Sequence, residues 1–140
     1  MFILNVLASI LSYDIWFYLS HLLLHMREFY PYHKLHHHAI VPVYSDAFVG
    51  HTFETILQGA GAVVPMLLFE YTYIDIGVVV AFLMTRGAAR HDGRTSWLIG
   101  NHHLLHHKYG KNCYGEYWLD WLGGTLHPNK EEYIYGLLYT

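Results

Sequence analysis

Three apolar stretches dominate the first two thirds of the chain. FILNVLASILSYDIWFYLSHLLLHM (2–26) contains neither Gly nor Pro and can cross a hydrocarbon layer of about 30 Å as a helix. TFETILQGAGAVVPMLLF (52–69) and YTYIDIGVVVAFLMTR (71–86) follow as two shorter apolar runs around a brief connection, the pattern of a membrane hairpin. No sustained two-residue alternation is present, which argues against strands. The pattern therefore predicts an all-α, integral-membrane helical bundle with about three membrane helices. Residues 87–127, polar, aromatic and rich in His, form a helical cap in this reading. The 140 residues make one domain, 1–140, with no repeat or linker.

Composition strengthens the membrane reading. Apolar residues make up 54% and charged residues 14%, against about 25% charged in ordinary soluble domains. A soluble helical domain with a very apolar core remains the alternative. The eight Lys and Arg fall at the ends or loops on one side, and the hairpin tip carries Glu70 and Asp75 instead. By the positive-inside tendency, the His-rich face is cytoplasmic. A net charge of −3 gives no reason to expect nucleic acid as a partner, and the single Cys113 excludes an intramolecular disulfide or a CxxC zinc site. Tyr30, Tyr32, Trp97, Tyr114, Tyr117, Trp118 and Trp121 suit an interfacial belt or cap.

The thirteen His residues change the picture most. Asp14, Tyr18, His21 and His25 follow at 4, 3 and 4 residues and share one stripe of a helix. Ionisable groups at membrane depth face a bundle interior; Asp14 either orients an imidazole or pairs with another helix. His33, His36 and His37 sit at i, i+3 and i+4, as do His103, His106 and His107, and on helices each trio converges on one face. His102 stacks over His106 on the neighbouring column and is ambiguous. His91 stands alone in ARHDGR, and His38 and His127 read as bystanders.

The set supplies nine imidazoles: His21, His25, His33, His36, His37, His91, His103, His106 and His107. One zinc takes four ligands at most, whereas two octahedral metals use nine and keep positions open. Imidazole suits iron, copper, zinc or nickel. A His-rich surface that binds metal adventitiously is the competing reading, and the repeated spacing weighs against it. A zinc hydrolase lacks support, since no HExxH is present.

These residues resemble the histidine boxes of the fatty acid hydroxylase/sterol desaturase superfamily of integral-membrane di-iron oxygenases. HxxxH resembles His21–His25, HxxHH resembles His33–His36–His37 and His103–His106–His107, and HxG resembles His91-Asp92-Gly93. The family tail is similar to Asn112-Cys113-Tyr114-Gly115 and Trp118…Asp120…Gly124-Thr125, with Cys113 interrupting NYG and Gly replacing the Phe of FGT. The resemblance covers residues from about 13 to 125. Only seven residues separate His25 from His33, closer than in acyl-chain desaturases, which favours the hydroxylase/sterol oxidase branch. Relatives carry further membrane helices before the first box, so the resemblance implies a reduced member or a fragment.

The resemblance implies O2-dependent hydroxylation or desaturation of a lipid, such as a sterol or fatty acyl chain, by two iron ions (Fe2+/Fe3+) held by the nine His. Zinc can replace iron in a purified sample. Electrons would come from cytochrome b5 or a reductase using NAD(P)H. His51, in a His51–Glu54 match to the family's HxxE, and His102 are possible additional ligands. Asp14, Glu54, Asp92 and Asp120 are candidates to orient ligands through the far imidazole nitrogen. The implied location is a multi-pass protein of the endoplasmic reticulum if eukaryotic, or of the inner membrane if bacterial. A non-catalytic metal-binding or accessory membrane protein of the same fold is the alternative.

Overall fold

A computed structural model of the chain describes residues 1–138. Every regular element among them is helical: α1 (Phe2–Leu24), α2 (Tyr30–His33), α3 (Thr52–Val63), α4 (Tyr73–Arg90), α5 (Ser96–Ile99), α6 (His102–Tyr109) and α7 (Tyr117–Gly123), with short 3-10 turns between them.

Helix α1 is inside out. Leu4, Leu7, Leu11, Ile15 and Leu19 are exposed, while Asn5, Ser9, Asp14, Tyr18 and His21 are buried. Water would penalise this arrangement and lipid would favour it. At 23 residues the helix is about 35 Å long, enough to cross a bilayer. It is the one helix among the described residues long and apolar enough to do so.

The expected second and third spans are modified. Pro65 cannot donate the next helical hydrogen bond, so α3 stops at Val63 and a 3-10 turn, Val64–Leu67, takes over. Twelve helical residues span only about 18 Å. Helix α4 starts at a capping box: Thr72 Oγ1 accepts from Asp75 N, and Asp75 Oδ2 accepts from Thr72 N. It then runs past the expected end at 86 to Arg90. Asn5 Nδ2 donates to Asp75 Oδ2 and to the Glu70 carbonyl, tying the hairpin tip to α1.

The packing of α1 on α3 is close. Trp16 Nε1 donates to the Leu57 carbonyl and Ser12 Oγ to that of Gly61. A Cβ on Gly61 would lie 2.5 Å from Trp16 Cβ, so only glycine permits this approach. The His-bearing segments gather at the C-terminal ends of α1 and α4. The last described residues run back over α5, where Leu138 N donates to the Leu98 carbonyl at 2.8 Å.

Candidate metal centre

The imidazoles meet in two groups. His21, His25, His33, His37 and His106 form one, and His36, His91, His103 and His107 the other; within each group the available ligand atoms all lie within 4.8 Å of one another. Helix α1 supplies His21 in its last turn and His25 at its C-cap. α2 ends at His33, a 3-10 turn carries His36 and His37, His91 caps α4, and α6 supplies the rest.

The expectation that each HxxHH trio converges as one face needs correction. After His33 the chain leaves the α-helix, and His37 has non-helical dihedrals. His33 and His37 enter the five-membered group and His36 the four-membered one. On α6, His106 points to the first group, whereas His103 and His107, one turn apart, join the second. Each HxxHH box is divided between the two groups, whereas His21 and His25 of HxxxH both enter the first.

Six of the nine rings are fixed by donation from Nδ1. The acceptors are the Tyr114 carbonyl for His21, Glu54 Oε1 for His33, and the Val49 carbonyl for His36. The Gly87, Asn112 and Ala39 carbonyls serve His91, His106 and His107. With the proton on Nδ1, Nε2 of a neutral ring carries a bare lone pair. Those lone pairs face each other. Nε2 of His21 lies 2.9 Å from that of His33, and His33 and His106 lie 3.0 Å from His37. In the second group, His36 and His91 are 3.0 Å apart and His91 and His103 are 3.1 Å apart. His107 Nε2 is buried with no partner.

Where both Nδ1 protons are committed, as in His21–His33 and His36–His91, the facing Nε2 atoms cannot hydrogen-bond each other, and the packing suits a cation between them. For metal–nitrogen bonds of about 2.1 Å, ligands at right angles stand about 3.0 Å apart and tetrahedral ones about 3.4 Å. The spacing fits the right-angled set, and the residues fit a pair of imidazole-bound metals.

Burial, and then the charge of neighbouring imidazoles, push His37 down to about 3, His91 to about 4 and His107 to about 2. His103 and His106 lie well below the ordinary imidazole range for the same reasons. All are neutral at pH 7, the form that binds metal.

The other sequence candidates part company here. Glu54 holds His33 at 2.7 Å. Asp120 acts through the loop after α6: its carboxylate accepts from the backbone of Tyr114 and Gly115 and from Thr125 Oγ1, and the Tyr114 carbonyl in turn holds His21. In that loop Asn112 and Cys113 adopt positive φ of 64° and 56°. His102 turns away from both groups onto Asp120 Oδ2 at 3.0 Å. Burial opposes its charge, yet the hydrogen bond to Asp120 prevails and pushes it up to about 9. His51 is exposed and caps α3, with Nδ1 accepting from Phe53 N. Asp14 pairs with Arg86 and not with an imidazole, and Asp92 pairs with Arg94. His38 is exposed, and the His127 ring stacks on Tyr109.

One feature escaped the sequence reading. Glu116, buried, receives Arg86 and Arg90 and closes an ion network with Asp14; the run EYWLD offers no signal for it. Of the two places the sequence offered Tyr114, an interfacial belt or a cap over the site, the structure has the second: its ring packs edge-on to His21, His25 and His106. A cavity of about 380 Å³ between α3 and α4 reaches His36 at its inner end, with Val79, Val80 and Met84 among its walls.

An all-helical domain brings two groups of imidazoles, each able to hold a metal ion, beside a mainly apolar cavity. The fatty acid hydroxylase family pattern matches residues 6–125, and the chain belongs to that family. Among curated proteins it is 32% identical over 129 residues to a Delta(7)-sterol-C5(6)-desaturase of Nicotiana tabacum, covering 82% of this chain and 46% of the relative. It is 28% identical over 124 residues to a C-4 methylsterol oxidase of Schizosaccharomyces pombe, covering 77% and 41%. A shorter match, 39% over 57 residues, is to methylsterol monooxygenase 1 of Gallus gallus, covering 40% of this chain and 19% of the relative. The chain spans less than half the length of these relatives. No solved structure matches it.

Proposed function

We propose that residues 1–140 form one catalytic domain that oxidises a lipid C–H bond with O2 at two iron ions. The observation that carries this reading is the convergence of nine imidazoles, in groups of five and four, beside a mainly apolar cavity. Neutral nitrogen donors suit iron. The chemistry expected of bound iron is activation of O2 and oxidation of an unactivated C–H bond to an alcohol or alkene.

The chain's own residues do the rest. His21, His25, His33, His37 and His106 hold one ion and His36, His91, His103 and His107 the other, each leaving positions free for small ligands. The backbone carbonyls and Glu54 fix the ring tautomers, so that Nε2 always faces the metal. The cavity walls exclude water and bring the lipid in beside His36. In this reading α1, α3 and α4 are all embedded in a multi-pass membrane protein, in the endoplasmic reticulum or a bacterial inner membrane. The His-rich face looks into the cytoplasm, where cytochrome b5 or an NAD(P)H-linked reductase supplies electrons. Zinc can occupy the same nitrogens in a purified sample without supporting turnover.

The test is lipid profiling of cells that express the chain or its His106→Ala variant, with metal analysis of both purified proteins. Two irons per chain and an O2-dependent lipid product absent from the variant are expected. Iron binding without any product would favour the non-catalytic metal-binding reading, and an unchanged product in the variant would overturn the assignment.

A further inference from the structure

The segment that joins the His36–His38 turn to α3 is apolar, exposed and yet held in place. Residues 39–45, AIVPVYS, carry no charged side chain. Ile40, Val41 and Val43 are exposed, Val41 to 85%, and so is Phe48 a few residues on. Both ends of the segment are pinned. The Ala39 carbonyl accepts from His107 Nδ1 and the Val49 carbonyl from His36 Nδ1. Between them Asp46 Oδ2 accepts from Val43 N, and the Arg94 guanidinium lies 5.1 Å over the Tyr44 ring. The segment thus presents its aliphatic side chains in a fixed array, an arrangement that water penalises and an apolar cover relieves.

Its surroundings point to lipid as the cover. Phe48 borders the cavity together with Val63 of α3 and with Val80 and Met84 of α4, all of them exposed. The segment therefore continues the apolar surface that these two helices turn outward. Gly87 and Ala88 line the same cavity, which sets the segment level with the last two turns of α4. At that level the chemistry changes. Helix α4 ends in Arg90, and Arg94, paired with Asp92 but with its side chain 74% exposed, stands over Tyr44. Aliphatic tips beside a Tyr–Arg pair match the boundary between acyl chains and headgroups. A water-soluble partner would call for polar groups to pair with, and residues 39–45 offer no charge for that purpose.

We propose that residues 39–49 form a membrane-contacting strap, with Ile40, Val41, Val43 and Phe48 inserted into lipid at the headgroup boundary and Arg94 at the level of the phosphates. This rests on the membrane-embedded reading of α1, α3 and α4 and adds a lipid contact outside the helices. Because the end carbonyls of the strap hold His36 and His107, two rings of the four-membered group rest on a segment whose depth the bilayer sets.

The experiment attaches a small fluorophore to an introduced thiol, with the full chain in phosphatidylcholine nanodiscs. The lipids carry a nitroxide quencher either near the headgroup or near the end of the acyl chain. Cys113 is fully buried, so the label goes to the introduced site, which the unlabelled wild type verifies. At Val41→Cys the shallow nitroxide is expected to quench several-fold more strongly than the deep one. Phe48→Cys should behave alike and stands in if the first variant does not fold. Leu11→Cys, near the middle of α1 on its exposed side, should show the reverse order, and the exposed Lys130→Cys should be quenched by neither. Quenching at Val41 and Phe48 as weak as at Lys130, with Leu11 still quenched, would overturn the strap and leave the membrane reading standing. Self-quenching between labelled chains in place of lipid quenching would also overturn it, because a second copy would then cover the segment. An unquenched Leu11 would refute the membrane reading itself, and the strap with it.

Discussion

Two regions of this protein bury polar side chains, and they do so in opposite ways. In the ion network, Asp14, Arg86, Arg90 and Glu116 answer one another across α1, α4 and the segment before α7. In the imidazole groups the neighbours are chemically alike, and their Nε2 lone pairs meet without a donor. The first region is complete as folded. The second leaves nitrogen facing nitrogen. Burial of a polar group thus marks function where its neighbours leave it unsatisfied, and architecture where they do not.

Substitutions separate the two. The largest effect is expected from His106→Ala, which removes a ring shared by His21, His25 and His37; product should vanish and iron should drop, read by metal analysis and lipid profiling. Glu116→Gln comes next and acts on the other region. It leaves the buried Arg90 without a carboxylate, while Arg86 keeps Asp14, and should cost about 3–5 kcal/mol, measured as a lower melting temperature in detergent, while the protein that stays folded keeps its metal content.

Asp120→Asn is milder, about 1–3 kcal/mol, and carries a pH signature. His102 is raised to about 9 beside Asp120. The pair therefore stabilises the fold fully below the unfolded value of about 6.5, and this stability is lost as pH rises through about 9. Melting temperatures across pH 6–10 should show that slope in the wild type and a flatter one in the variant.

The metal-free imidazoles slope the other way. His37 and His91 titrate lower folded than unfolded, at about 3 and about 4. Metal-free protein should thus lose stability as pH falls below about 6.5, and bound iron should move that limb to lower pH. The smallest effect belongs to His38→Ala, an exposed ring outside both groups; stability should stay within about 0.5 kcal/mol and iron content should not change.

What could be read from the chain follows the same division. His spacing points to the nine rings because ligand-rich boxes are local in sequence. The partner of Asp14 could not be read, because Arg86 lies 72 positions away and only the packing of α4 on α1 brings it near. The trios looked like single helical faces, and the break after His33 that divides one of them depends on tertiary context. The early end of α3 was written in Pro65, yet an apolar run through residue 69 hides it from hydropathy alone. The cavity depends on how α3 and α4 face each other, which no single segment encodes.

The divided boxes have a further consequence. His36 and His37 are consecutive but serve different groups, as are His106 and His107. One peptide unit thus acts as a ruler that sets the offset between the two imidazole groups, and it is used twice. Neither group can shift without pulling on the backbone of the other. The pair should behave as one cooperative object, with its reading frame set by single-residue steps.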